Sequence, residues 1–183
     1  MDQLVDLSQT SLYVSATAIA FNPTFWKCEP PFNITVARQE YHNKVLTRLF
    51  NGNSLRACYA LAITIFSLGL FRDYLYKSAL DAQPYHSTFH LPLLAYALLA
   101  AGNVLVLSST WALGIVGTYL GDYFGILMDE PVTSFPFNLT GAPMYYGSAM
   151  SFLGTALLYG KPAGVFLTGE VLVVYLIALT FEE

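Results

Sequence analysis

Charge is what this sequence has least of. Eight Lys/Arg and twelve Asp/Glu among 183 residues make it 11% charged, against about 25% in an ordinary soluble domain. Hydrophobic residues supply 55% and the mean hydropathy is +0.51. The chain therefore reads as an integral membrane protein, all-α, its residues 1–183 forming a single domain built as one polytopic helix bundle. The few basic residues form no stripe of the kind that tracks nucleic acid, so no nucleic-acid partner is expected. Cysteine is scarcer still. Cys28 and Cys58 are spaced for neither a metal nor a redox pair and read as small packing residues. His86 and His90 stand four apart, but in a loop and without an acid or cysteine to complete a ligand set, so no metal is expected. Basic residues are also missing ahead of the first apolar segment, which is preceded by Asp2 and Asp6; a cleaved secretory leader would begin with positive charge.

Apolar runs fill most of the chain. Ser11 to Trp26 is uncharged but interrupted by Asn22-Pro23, and it is short for a straight span of about 20 residues. It either crosses with a kink or dips in and returns. Lys27 to Arg56 is a polar connector holding five of the eight basic residues, Lys27, Arg38, Lys44, Arg48 and Arg56, which favours the cytosolic side. Within it Ile34 to Phe50 has helical spacing, with Val36, Tyr41, Val45 and Leu49 on or near one face. That pattern suits a helix lying on the membrane surface. Leu55 to Phe71 is the next span, with Arg72 at its edge snorkelling toward a nearby acid. Ser78 to His90 reads as a loop. Leu91 to Gly121 runs 31 residues without charge, longer at 1.5 Å per residue than a bilayer core of about 30 Å. Its Asn103, Ser108, Ser109 and Thr110 are expected to bond neighbouring helices. Pro143 opens a helix to about Tyr159, Gly160-Lys161-Pro162 is a tight turn, and a last helix follows from about Ala163, making a C-terminal helical hairpin.

One stretch concentrates unusual features. From Leu113 to Asn138, glycines recur at Gly114, Gly117, Gly121 and Gly125, so a continuing helix would present a face of nearly bare backbone, the kind of ridge on which membrane helices approach closely. Asp122 stands at its mouth. A carboxylate there is either an interfacial helix-end charge or a functional group. Glu182 and Glu183 raise the same choice between simple hydration and a cationic ligand, with Tyr175 and Phe181 near enough in sequence to add cation–π attraction.

The segments FNPTFW (21–26), CYALAITIFSLG (58–69), VLVLSS (104–109) and LGIVGTYLGDYFGIL (113–127) resemble the phosphatidylethanolamine N-methyltransferase family. VTSFPFN, PMYYGS and the closing FEE continue the likeness, and GKPAG (160–164) and RDYLYKSAL (72–80) draw it toward the fungal branch, the phosphatidyl-N-methylethanolamine N-methyltransferases. The resemblance runs through nearly the whole chain in order. It implies a multi-pass enzyme of the endoplasmic-reticulum membrane, or alternatively a mitochondrial membrane. Such an enzyme moves methyl groups from S-adenosylmethionine to the amine of a membrane phospholipid, ending in phosphatidylcholine. The family's donor site is a Gly-x-Gly motif and an acidic pair. These fall on Ala100, Ala101 and Gly102, where the first glycine is replaced by alanine, and on Glu182 and Glu183. Further departures are Cys28-Glu29-Pro30-Pro31 and Glu170, a position where the family is expected to be apolar. No Rossmann fingerprint of soluble methyltransferases is present.

Methyl transfer from a sulfonium is an in-line displacement by a neutral amine, so the site must align the two and accept a proton. Asp122 is the candidate acceptor, with Tyr123 and Tyr145 as positioning groups. The lipid phosphate requires donors, for which Arg72, Lys161 and the turn from Asn138 to Gly141 are candidates. Two other classes remain open at this level: an isoprenylcysteine carboxyl methyltransferase-like enzyme, and a lipid-binding scaffold without catalysis.

Overall fold

The computed structural model describes residues 4–26, 36–128 and 130–180, and among them every regular element is helical. Five long helices carry the fold: α1 Thr10–Trp26, α4 Ser54–Asp81, α5 Pro92–Thr118, α6 Pro143–Tyr159 and α7 Pro162–Leu179. Two short ones, α2 Val36–Asn43 and α3 Val45–Leu49, lie between α1 and α4. The sequence marks these starts chemically. α5, α6 and α7 each open on proline at the first turn, where its missing N–H would have had no partner. Asn53 caps α4 by accepting the Arg56 N–H at 2.9 Å, as an N-cap amide does. Gly160 ends α6 at φ 62°, the left-handed exit that a glycine allows. The segment ending on Phe124, α4 and α7 are long and apolar enough to cross a membrane. Side chains such as Trp111, 90% exposed, and Leu93, 86% exposed, lie on the outer face of the bundle.

Packing divides the bundle into two cores. The first joins Leu12 and Ile19 of α1, Tyr76 and Leu80 of α4, Phe152 of α6, and Leu167, Val171 and Tyr175 of α7. The second joins Ala57, Cys58 and Leu61 at the start of α4 to Leu120 and Phe124, with Val36, Leu46 and Phe50 packed against them. Helix register explains the separation. Tyr76 donates to the Phe152 carbonyl at 2.9 Å and reaches Gly164, so the C-terminal half of α4 lies beside α6 and α7. Gly102, early in α5, meets Gly147, the fifth residue of α6. The rest of α5 and the first half of α4 therefore run past the ends of α6 and α7. At 28 and 27 residues against 17 and 18, the surplus is about 15 Å. The two long arms meet the second core, and residues 36–53 and 119–142 gather at that end. The other end holds residues 4–9, 82–91 and 160–161. There Asp6 and Gln83 exchange two hydrogen bonds of 2.8 and 2.9 Å, and Lys161 donates to the Gln83 carbonyl at 2.6 Å.

Several expectations change. The glycines from 114 to 125 do not form a packing ridge, because the helix does not continue through them. Gly114 sits at φ 66°, ψ 176° inside the last turns of α5, a region open essentially to glycine alone. Leu120 and Gly125 are left-handed as well, bracketing a single 3-10 turn at Gly121–Phe124. The close-packing glycines are elsewhere. A Cβ at Gly102 would fall 2.5 Å from the Gly147 carbonyl oxygen, and one at Gly147 would fall 2.7 Å from that of Gly102. Residues Asn103, Ser108, Ser109 and Thr110 bond their own helix rather than a neighbour, each donating to the carbonyl four residues back at 2.6–2.9 Å; this satisfies a polar group where lipid offers no partner. Ser78 to Asp81 belongs to α4, not to a loop. The surface helix expected over 34–50 is broken at Lys44, φ 50°, where the buried Glu40 carboxylate caps α3 by accepting from Leu46 N at 2.7 Å, Thr47 N and the Thr47 hydroxyl.

Candidate functional site

A cavity of about 850 Å³ lies between the arms of α4 and α5. These two helices scarcely touch, so the gap is open along its side. Its walls are Ile65, Phe66 and Leu70 from α4 and Val106, Leu107 and Leu113 from α5; Phe137 and Gly141 of the connector lie over it. At its inner end stand Arg72, Tyr145, Ser148, Phe152 and Tyr175; Tyr145, Ser148 and Tyr175 lie within about a turn and a half of the ends of α6 and α7, and Phe152 is midway along α6. A smaller groove of about 440 Å³ between α1 and α4 shares Asn22 and Arg72 with it.

Arg72 is the centre of the inner end. Its side chain is 14% exposed. The Cα–Cβ bonds of a helix lean toward its N-terminus, so this side chain leans toward the connector end. Nε and one Nη donate to Asp73 at 2.9 and 2.8 Å, and the other Nη donates to the Tyr175 hydroxyl at 2.8 Å. The Tyr175 oxygen is 3.1 Å from Ser148 Oγ. The guanidinium lies 4.9 Å from the centre of the Phe152 ring, and Tyr145 meets Tyr175 edge to face at 4.9 Å. A cation, two phenols and a hydroxyl thus converge at the closed end of an apolar cleft. This is the arrangement of a site that orients a ligand by a few polar groups while burying its apolar part.

The residues singled out in the sequence are divided by the fold. Tyr145 lines the cleft. Asp122 is exposed on the 3-10 turn just beyond Tyr119 and Leu120, which do line it. Tyr123 packs into the second core and meets Tyr41 at 6.4 Å. Ala100 and Ala101 face outward, whereas Gly102 is buried with its backbone closed against Gly147. The glycine position carried over from the family therefore offers no open backbone to a ligand; its bareness serves the α5–α6 contact. Glu182 and Glu183 lie outside the described residues, as do Lys27, Cys28 and Phe181; α7 itself ends at Leu179, at the end of the bundle where the connector lies. Lys161 is at the opposite end. His86 and His90 flank a 3-10 turn, His90 resting 5.9 Å from the Tyr85 ring. Sequence reasoning missed Ser148 and the joining of Tyr175 to Arg72. The available signal was RDY at 72–74, where charge returns directly after the uncharged run from Ala57 to Phe71.

A family model described as phospholipid methyltransferase matches residues 91–183. Over 182 residues the chain is 65% identical to a phosphatidyl-N-methylethanolamine N-methyltransferase from Neurospora crassa, covering 98% of this chain and 82% of that one. A protein of the same name from Saccharomyces cerevisiae is 52% identical, with 98% and 84% covered. The phosphatidylethanolamine N-methyltransferase of Homo sapiens is 42% identical, with 98% and 87% covered. No solved structure matches.

Proposed function

The chain belongs to the phospholipid methyltransferase family, and from that premise we propose that it methylates the amine of phosphatidyl-N-methylethanolamine and phosphatidyl-N,N-dimethylethanolamine, giving phosphatidylcholine. The observation that carries this reading is the cleft between α4 and α5: its side walls are mostly apolar, with Asn103, Thr110 and Thr118 as polar exceptions on α5, and a guanidinium and hydroxyls gather at its inner end. A phospholipid can enter such a gap from the membrane without its chains ever meeting water, since moving apolar surface from lipid to an apolar wall avoids the hydrophobic penalty of about 25 cal/mol per Å².

The methyl donor of this reaction is S-adenosylmethionine, which supplies an electrophilic methyl on a sulfonium. The part played by this chain is to hold and align the acceptor. Tyr145 and Tyr175 present aromatic surface at the cleft's inner end, and aromatic faces attract the ammonium that accumulates methyl groups, by about 2 kcal/mol when desolvated. The charge there is on the acceptor before deprotonation and on the product after transfer, so the rings favour both ends of the reaction. Asp122, exposed beside the cleft, is assigned a field effect on cationic ligands at the rim. Glu182 and Glu183, carried over from the family, are assigned the donor's cationic groups. The basic residues Arg38, Lys44, Arg48 and Arg56 gather at the same end as the connector, and by the positive-inside tendency that end faces the cytosol, where a soluble donor is supplied. The endoplasmic-reticulum membrane is the proposed location. Purified protein in mixed micelles, given radiolabelled donor and monomethylated lipid and followed by lipid separation, should yield labelled dimethylated lipid and phosphatidylcholine. Label on a prenylcysteine acceptor instead, or no transfer at all, would overturn the assignment.

A further inference from the structure

We infer that Arg72, Tyr175 and Ser148 form the seat for the phosphodiester of the acceptor lipid; this rests on the reaction proposed above and names the group that the same cleft grips. The inference comes from an inventory of donors. A guanidinium has five N–H groups, and three are used on Asp73 and Tyr175, leaving two. The Tyr175 oxygen accepts from Arg72 and shares one hydrogen with Ser148, from whichever side it is donated. Two hydroxyls carry two hydrogens, so one O–H of the pair also remains to be given. The cluster is thus rich in donors and short of acceptors. It faces a cavity whose side walls are mostly apolar. A group with several acceptor oxygens and a negative charge completes it, and charge-assisted bonds of this type are the strong ones.

Two anions come with the reaction: the lipid phosphodiester and the carboxylate of the methyl donor. Position favours the first. Tyr145 and Ser148 lie in the first turns of α6, and Tyr175 lies in the last turn and a half of α7. The cluster therefore sits toward the connector-side ends of α6 and α7, and α7 is long and apolar enough to cross a membrane, which suits a lipid headgroup entering near the end of a span. The apolar side walls continue directly from it, as acyl chains continue from a glycerol phosphate. Only two carbons separate that phosphate from the amine, so an anchored phosphate places the amine against Tyr145. Asp73, already paired and 53% exposed, keeps Arg72 oriented when the cleft is empty.

The test is a kinetic split. In mixed micelles, wild type, Arg72→Gln, Tyr175→Phe and Ser148→Ala are assayed for lipid KM, donor KM and kcat, with S-adenosylhomocysteine affinity measured by calorimetry. The expected result is a rise in lipid KM of about tenfold to hundredfold for Arg72→Gln and about threefold to tenfold for the two hydroxyl deletions, consistent with charged and neutral hydrogen bonds, while S-adenosylhomocysteine affinity stays within about twofold. Ser148→Ala removes one atom on a helix and keeps the test alive should Arg72→Gln fail to fold. A fall in S-adenosylhomocysteine affinity would transfer the cluster to the donor carboxylate and overturn the proposal, as would an unchanged lipid KM in all three variants. Native mass spectrometry reads the anchor without turnover: wild type should retain phosphatidylglycerol over diacylglycerol, and Ser148→Ala should lose part of that preference. Equal retention of the two lipids overturns the seat. Absent turnover with preference intact overturns only the reaction.

Discussion

α5 meets two neighbours in opposite ways. Against α6 its first half is closed: Gly102 and Gly147 approach until neither tolerates a Cβ, and a Cβ at Gly154 would fall 3.0 Å from the Ala95 carbonyl. Against α4 it is open, and the gap is a cavity of about 850 Å³. The difference teaches what glycine does in this bundle. On the closed side its missing side chain is filled by another backbone, which gains dispersion contacts that lipid would otherwise share. On the open side Gly69 of α4 lines the cleft and a Cβ there would meet nothing within 4 Å. The same residue type packs one interface and leaves room in the other.

The largest effect expected from breaking this contrast is at the closed side. Gly102→Val should lower stability by about 3 kcal/mol or more, since the intruding atoms meet backbone that has nowhere to move. Gly69→Ala should cost nothing and gain up to about 1 kcal/mol of helix propensity. Thermal unfolding in detergent compares the pair, and equal destabilisation would mean that the two sides are not different in kind. Next is the open side. Gly69→Phe should leave the melting temperature near wild type yet raise lipid KM about tenfold or more by occupying the cleft, and unimpaired turnover of long-chain lipid would show that substrate does not pass between α4 and α5.

Smaller effects sharpen the position of the site along the cleft. Tyr145→Ala should reduce kcat/KM for lipid by about thirtyfold, the loss of about 2 kcal/mol of aromatic attraction for a desolvated ammonium. Asp122→Asn should cost less than about tenfold, because an exposed charge contributes about 0–1 kcal/mol. Steady-state kinetics on both variants decides between them. A loss of about 10² or more at Asp122 would restore it as the proton acceptor and place the reacting amine at the connector rather than beside Tyr145.

The smallest effect is at the far end, away from the cleft. The Ser8 hydroxyl, the Gln9 amide and the Ser8 N–H all donate to the Asp6 carboxylate and hold it below the usual carboxylate range. A depressed folded-state value means that the stabilisation is fully present above the unfolded value of about 3.9 and is lost as pH falls through the folded one. Asp6→Asn should therefore flatten the acid limb of a melting-temperature profile slightly, below about pH 4, and leave neutral pH little changed. An identical acid limb in wild type and variant would show that the Asp6 turn contributes nothing to the docking of α1.

Much of the fold was legible because its signals are local. Proline at the first turn and glycine after the last placed α6 at Pro143–Tyr159 to the residue, and the start of α7 fell one residue ahead of the expected Ala163, on Pro162. The break at Gly114 was not legible, because a periodic run of small residues looks the same whether it packs, turns or both; φ values, not spacing, separate the cases. The back-bonding of Ser108, Ser109 and Thr110 was misread for a related reason. A hydroxyl in lipid needs an acceptor, and its own helix supplies one four residues earlier as readily as a neighbour does.

What the sequence by itself determined is the solvent, the ends of α6, the C-terminal hairpin and the family. Each follows from composition, from residues within one turn of each other, or from motifs in order along the chain. What only the tertiary structure decided is which residues share a site. Arg72 and Tyr175 lie 103 positions apart, and Asp122 and Tyr145, far nearer in sequence, are separated by the turn that sends one to the surface and the other into the cleft. That sorting depends on helix register, which is set where Gly102 meets Gly147. A pattern of small residues announces that some close contact is available, but the depth of the approach, and therefore which side chains stand level with one another, is fixed only when two backbones meet.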